Sequence, residues 1–456
     1  MKKIALTLTI LSLVGTGIGV LAGTSLPSPL ITRDSSGMLS TVSTTGSIDQ
    51  GGAFFQSLGT NGRSCASCHQ AADAWSVTPS HIRQRFERTS GTDPIFRPVD
   101  GANCPSADVS SYWARRSAYS LLLSKGLIRI SLPVPSGASF AITQIQDPYN
   151  CPQTTASQPA SYRRPLPATN LDFLSAVMWD GRETVAGQVP GKSINLTQSL
   201  TNQATDATLG HAQGANAPSP QQLADIVAFE TALYTAQAYD ERAGWLSSHA
   251  AGGAPNLSAQ PFYIGINDPL GGNPTGAPFN PNAFSLYDSW SSSRDGSHRA
   301  VARGQALFNT LPIPITGVGG LNDALNLPVI PGTCTTCHDS PNVGNHSLPV
   351  PLNIGTTAYP PVPALDVAGL PIYSVQCSDG TSVQVTDIGR AMISGKCADV
   401  GKVKGPVLRG LAGRAPYFHN GAARTLDDVV EFYNQRFELN LTDRQKSDLV
   451  AFLQTL

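Results

Sequence analysis

Two short stretches hold the residues best suited to chemistry. CASCHQ (65–70) places Cys65, Cys68 and His69 in a C-x-x-C-H spacing, and CTTCHD (334–339) repeats it with Cys334, Cys337 and His338. Three chemistries use such pairs: a zinc ion, a redox-active dithiol, or a covalently attached haem. C-x-x-C-H is the attachment signature of haem c. Two thiols must reach two vinyl groups on one porphyrin edge, while the adjacent imidazole reaches the iron from one face. A thioredoxin-like dithiol does not need the histidine. A zinc ribbon sets its two C-x-x-C pairs roughly 15–20 residues apart, whereas here they are separated by more than half the chain. The expectation is two covalent haems c, with His69 and His338 as iron ligands.

The ends of the reading agree. Lys2 and Lys3 precede an apolar run from Ile4 to Leu21 that closes on Ala22 and Gly23, the pattern of a secretory signal over residues 1–23. Left uncleaved, the same run would be a membrane anchor. Haem joins C-x-x-C-H outside the cytoplasm, so a periplasmic location of the Gram-negative type is expected. Four further cysteines, Cys104, Cys151, Cys377 and Cys397, read as two disulfides in such a compartment. Of three connectivities, sequence proximity favours Cys104–Cys151 and Cys377–Cys397; a reactive thiol pair is the alternative. Charged residues make up only 13% of the chain and the net charge is −1, so nothing basic is concentrated enough for a nucleic-acid partner.

The elements around the motifs suggest a mainly α protein of two cytochrome c-like haem domains with long loops and a small β-hairpin. QGGAFFQSL (50–58) and RGQALFNTL (303–311) each place a glycine, a small residue and a phenylalanine ahead of a haem motif, on what reads as a short amphipathic helix. The first haem domain would span 45–245 with an insertion at 76–160. A helical pattern returns at 221–244. A Gly/Pro/Asn-rich stretch at 251–282 reads as a surface excursion, within a linker of 246–294. The second haem domain would span 295–456. It contains PIYSVQCSDGTSVQVTD (371–387), whose alternation and Asp-Gly turn predict a hairpin. A closing helix begins at Thr442 and Gln445, a T-x-x-Q capping box.

Three segments carry a family resemblance. VMWDGRETVAGQ (177–188), FETALYTAQAYDERAG (229–244) and KGPVLRGLAGRAPYFHNGAARTLDDVVEFYN (404–434) resemble the bacterial di-haem cytochrome c peroxidases and the related MauG-type enzymes. With the haem motifs these cover about half the mature chain. The resemblance implies that the N-terminal haem meets hydrogen peroxide, that the C-terminal haem stores and relays electrons, and that Trp179 of W-D-G-R carries the exchange. By residue type alone Trp179 reads as a core aromatic, with Asp180 and Arg182 as a local ion pair.

The sequence also departs from the family. The acid/base glutamate of the peroxidases would fall near Ser199, and no glutamate lies between Glu183 and Glu230. His211 is the replacement: an imidazole can serve as acid and base near neutral pH, can instead ligate and block the iron, or can be a plain loop histidine. Gln188 and Gln203 are candidate hydrogen-bond donors, and His81 is a further candidate distal ligand. The family's interdomain calcium would use backbone carbonyls at Arg414 and Pro416, but Arg164 stands where its asparagine ligand should be, and arginines repel a cation. The family's methionine ligand to the second haem falls at Tyr433. Leu426, Val429, Val430 and Tyr433 follow helical spacing after a Thr425 cap, so Tyr433 faces inward, as a ligand or as a core residue. MauG-type enzymes have tyrosine there. Met392 is the competing thioether.

Three functions follow. The first is a peroxidase fed by a small periplasmic cytochrome or cupredoxin. The second is a MauG-like or rubber-oxygenase-like oxidase acting on a protein or organic substrate. The third is a two-haem electron carrier without catalysis.

Overall fold

The computed structural model describes residues 25–187, 193–246, 253–270 and 278–456. The signal sequence and Gln188 lie outside them. Helix outweighs strand, 31% against 17%, and the strands form small antiparallel sheets. No described helix is long and apolar enough to cross a membrane.

Residues 30–43 supply two strands of the largest sheet among the described residues. Leu30–Arg33 and Gly37–Ser43 pair with Leu233–Asp240 and Gly244–Trp245. The helix expected over 221–244 therefore stops early. Pro220–Thr231 is helical, opened by a Ser219–Gln222 capping box, and LYTAQAYD then turns extended. Its Leu, Tyr and Thr suit a pleated surface, and pairing with Gly37–Ser43 buries Leu233, Ala236 and Gln237 completely. The helix expected at 50–58 is likewise reduced to a single 3-10 turn, Ala53–Phe55.

Its counterpart is a full helix, Gly296–Thr310, packed along Asp443–Gln454. Gly304 makes that approach feasible: a Cβ there would stand 1.9 Å from the Asp448 carbonyl oxygen and 2.7 Å from the Phe452 Cβ. The closing helix carries the Thr442–Gln445 box, and Thr425 caps Leu426–Arg436. The hairpin forms as Ile372–Cys377 and Ser382–Val385.

A third strand, Phe140–Gln146, joins that hairpin from the 76–160 section, so the first half of the chain contributes to a sheet of the second. The same section builds its own core around Ile82, Phe86, Phe96 and Leu122. Both disulfides form as expected, Cys104–Cys151 and Cys377–Cys397. The 251–282 stretch is not all surface. Leu257 packs against Phe173 and Tyr234, and Asn267 and Asp268 are each 6% exposed, because polar side chains of the second haem loop face them.

Candidate active site

The two C-x-x-C-H loops are built alike. Each opens with a 3-10 turn, Cys65–Ser67 and Cys334–Thr336. A hydroxyl at its third residue bonds the amide just before the first cysteine: Ser67 Oγ to Ser64 N at 3.0 Å, Thr336 Oγ1 to Thr333 N at 2.9 Å. Each histidine amide donates to the first cysteine's carbonyl at 3.0 Å. Each ring then pairs its Nδ1 with a carbonyl six residues on, His69 with Trp75 and His338 with Gly344, both at 2.9 Å. A carbonyl can only accept, so Nδ1 carries the proton and Nε2 is left as the free lone pair, the arrangement a metal-bound histidine needs. Burial lowers His69, and lowers His338 to about 4, which keeps both rings neutral.

The four motif cysteines are the ones left outside disulfides. Burial pushes Cys65, Cys334 and Cys337 up to about 12. Thiols held protonated are poor redox nucleophiles, which argues against the dithiol reading. The residues fit haem in a further respect. Arg164, Lys404, Arg409 and Arg414 are buried cations with no ion-pair partner among the described residues, and Nε and Nη2 of Arg409 have no hydrogen-bond acceptor. Burial brings Lys404 down to about 7, with Arg414 adding to the effect. Buried cations need an anion, and haem propionates are anions.

A cavity of about 170 Å³ opens beside His69. Cys65, Cys68 and His69 line it. So do Leu200, Gln203, Ala204, Ala207, Thr208 and His211. These six form one stripe of a helix, Leu196–Gly210, that His211 terminates. The stripe follows the i, i+3, i+4 spacing of a helical face. Small alanines leave the space open. Ser199 is fully buried outside this stripe, accepting from the Val185 amide, so the position aligned with the family's glutamate does not face the cavity.

His211 is tethered. Its Nδ1 bonds the Asp100 carboxylate, whose other oxygen accepts from Arg63. Arg63 in turn donates to the carbonyls of Pro94, Ile95 and His211. Burial alone would push Asp100 up, but hydrogen bonds and charge from His211 and Arg63 hold it below the usual carboxylate range. An ionised Asp100 fixes the proton on His211 Nδ1 and leaves Nε2 as the base.

Asp100 and Arg63 were not read from the sequence. Asp100 sits in the 76–160 section, where no local signal marks it. Glu230 is a third such residue. It lines the cavity, has a buried Oε2 without a partner, and is pushed up to about 8 by burial.

Trp179 lines the same cavity, and its surroundings join the resembling segments. Its Nε1 donates to the Arg164 carbonyl at 2.7 Å, and its ring lies 6.1 Å from that of His419 in A-P-Y-F-H. Asp180 accepts from Arg182 at 2.9 Å and also from Arg163, which bridges to Asp387 at 2.7 Å. The segment leading to Trp179 also touches the second haem loop: Asn345 donates to the Phe173 carbonyl and Ser175 to that of His346.

Other expected positions resolve differently. His81 is bound to Asp73 at 2.7 Å and does not line the cavity, because Asp73 sits beside the start of its helix; a distal-ligand role is not supported. Met392 packs in the core with Phe140 and Tyr373, away from the second haem loop. Tyr433 does approach that loop, packing in one cluster with Cys334 and Cys337. Burial pushes its phenol up strongly, so a phenolate there requires a compensating cation. The calcium expectation meets an obstacle. The Arg414 carbonyl accepts from Arg164 Nη2 at 2.9 Å, so a guanidinium holds the place of the ion, and the residues do not fit calcium.

No family model matches the chain. A cytochrome-c peroxidase of Denitromonas iodatirespirans, IdrP2, is 36% identical over 135 residues, covering 27% of this chain and 36% of the relative. About a quarter of the chain is thus similar to a cytochrome-c peroxidase. A second such relative, IdrP1 of the same organism, is 28% identical over 192 residues, or 37% of this chain and 44% of that one. The cytochrome c551 peroxidase of Nitrosomonas europaea is 41% identical over 70 residues, 15% of this chain and 21% of that one. The matches thus span less than half the length of these peroxidase relatives. Among solved structures, a MauG-like protein associated with microbial copper homeostasis aligns over 89% of this chain and 85% of its own, at 16% identity and a TM-score of 0.38.

Proposed function

We propose that the protein is an exported di-haem oxidoreductase that reduces hydrogen peroxide in the cavity beside His69, drawing electrons from a small periplasmic donor through the second haem. One observation carries this reading: His211 lines the same cavity as His69 and is held there by Asp100 and Arg63. Haem, held through Cys65, Cys68 and His69, would supply redox-active iron to the cavity. The chain does the rest. His211 Nε2 takes a proton from the near oxygen and returns it to the departing one, which general acid–base catalysis makes worth about 10²–10⁴-fold. Gln203 offers an amide to orient the peroxide. Leu200, Ala204 and Ala207 keep the walls apolar. Trp179 lines the cavity on a segment bonded to the second haem loop, which supports its role as the relay.

The proximity of Tyr433 to Cys334 and Cys337 favours a second reading at the other haem. A phenolate ligand would lower that iron's potential relative to methionine, and the protein would then act as an oxidase of the MauG kind. The test is the reaction of His211→Ala with peroxide, followed by stopped flow, alongside the electron paramagnetic resonance spectrum of the wild type. A loss of roughly 10²-fold or more, with one high-spin iron in the wild type, supports the peroxidase. Two low-spin irons, with a faster reaction in the variant, would make His211 a blocking ligand.

A further inference from the structure

Behind the second haem loop lies a group of side chains that neither haem nor peroxide chemistry uses. Asp339, the residue after His338, is fully buried, and His346 and Asp268 are 3% and 6% exposed. Each can offer a ligand atom, and these atoms all lie within 4.8 Å of one another. Asp268 Oδ2 and His346 Nδ1 stand 3.5 Å apart. A tetrahedral zinc with bonds near 2.0–2.2 Å spaces its ligand atoms about 3.4 Å apart.

The group gathers acceptors with no cation beside them among the described residues. Two carboxylates share a buried site, and among the described residues no lysine or arginine forms an ion pair with either. Both ring nitrogens of His346 and Oδ2 of Asp268 lack hydrogen-bond partners. Buried polar atoms are almost always satisfied. A haem propionate can accept from a His346 N–H but, as an anion, leaves the two carboxylates without a counter-charge. The remaining carboxylate atoms are already oriented, as supporting groups around a metal commonly are. Ser347 donates to Asp339 through its amide at 2.9 Å and its hydroxyl at 2.8 Å, and Asp268 Oδ1 accepts from the Leu270 amide at 2.9 Å.

We infer that Asp268, Asp339 and His346 bind one divalent transition-metal ion of the zinc class, separate from the haem irons. Imidazole with carboxylates suits that class. The ion would pin the 253–270 segment onto the loop that follows the second haem motif, and water would complete its coordination.

The test uses the full-length, haem-loaded protein. Samples are treated with a chelator, incubated with zinc, desalted, and analysed for metal, with haem measured in parallel. The wild type should retain one equivalent of zinc above that held by Asp268→Asn and by His346→Ala, with haem content unchanged. Ser347→Ala should bind zinc roughly 10–100-fold more weakly, as loss of an orienting group does. Should a variant fail to load haem, calorimetric titration of zinc into the chelator-treated wild type decides the matter. A stoichiometry of one supports the site. No heat of binding, or equal zinc in wild type and variants, overturns it.

Discussion

The Asp100→Asn substitution tests the active site most directly. Asp100 meets two donors at once, Arg63 on one oxygen and His211 Nδ1 on the other. Asparagine has one oxygen and one NH2 group. The charged guanidinium claims the oxygen, so the NH2 turns toward His211 and forces its proton from Nδ1 to Nε2. The nitrogen facing the cavity then has no lone pair with which to accept a proton. The expected loss in peroxide reaction rate is about 10²–10⁴-fold, or ~2.7–5.4 kcal/mol at 1.36 kcal/mol per decade.

Stability should fall as well. Removing one partner of a buried pair costs about 3–5 kcal/mol. Arg63 keeps three backbone acceptors, at 2.6, 3.0 and 3.1 Å, so the low end, about 3 kcal/mol, applies. The assay is stopped-flow mixing with peroxide, on variant protein whose haem content and visible spectrum match wild type. A wild-type rate in such a sample would refute the claim that Asp100 sets the tautomer of a catalytic His211.

Other outcomes are expected. Arg163→Met leaves Asp387 and Asp180 without their shared buried cation; denaturant titration should show about 3–5 kcal/mol lost. Glu183 is pushed up from 4.5 to about 7 by burial and then by the neighbouring Asp206, so the folded state holds a proton that the unfolded state releases. Stability should therefore decline as pH rises from 4.5 to 7, and Glu183→Gln should flatten that decline in thermal melts across the range. Tyr433→Phe should raise the reduction potential of one haem in a redox titration and leave the other unchanged; equal potentials in variant and wild type would return Tyr433 to a packing role.

Much of the site's skeleton was legible because its signals are local. Two C-x-x-C-H spacings, the capping boxes at Thr425 and Thr442 and the Asp-Gly hairpin each depend on residues within a few positions. The disulfides follow from four cysteines that fall in two close pairs. What stayed hidden depends on distant partners. Leu233–Asp240 continues an apolar pattern that reads as helix, and only Gly37–Ser43, nearly two hundred residues earlier, makes it a strand. Asp100 is an unmarked aspartate until His211 and Arg63 close around it. The Leu196–Gly210 helix has a clear period, but threonine and asparagine, weak helix formers, hide it. Asp268 lies in a stretch rich in glycine, proline and asparagine that reads as solvent-exposed, and its burial comes from residues that follow the second haem motif.

Arg164 gives the junction between the A-P-Y-F-H run and the rest of the chain an unusual supply arrangement. Its amide donates to the His419 carbonyl at 2.7 Å and its guanidinium to those of Arg414, Lys125 and Val77. A joint held by a dissociable ion obeys mass action, and its strength rises and falls with the free ion in the surroundings. A cation carried on the chain is present once per molecule at any dilution. The joint therefore keeps the same occupancy whether the surroundings are rich in calcium or stripped of it by chelating polymers, and its integrity is inherited with the sequence instead of being drawn from the medium.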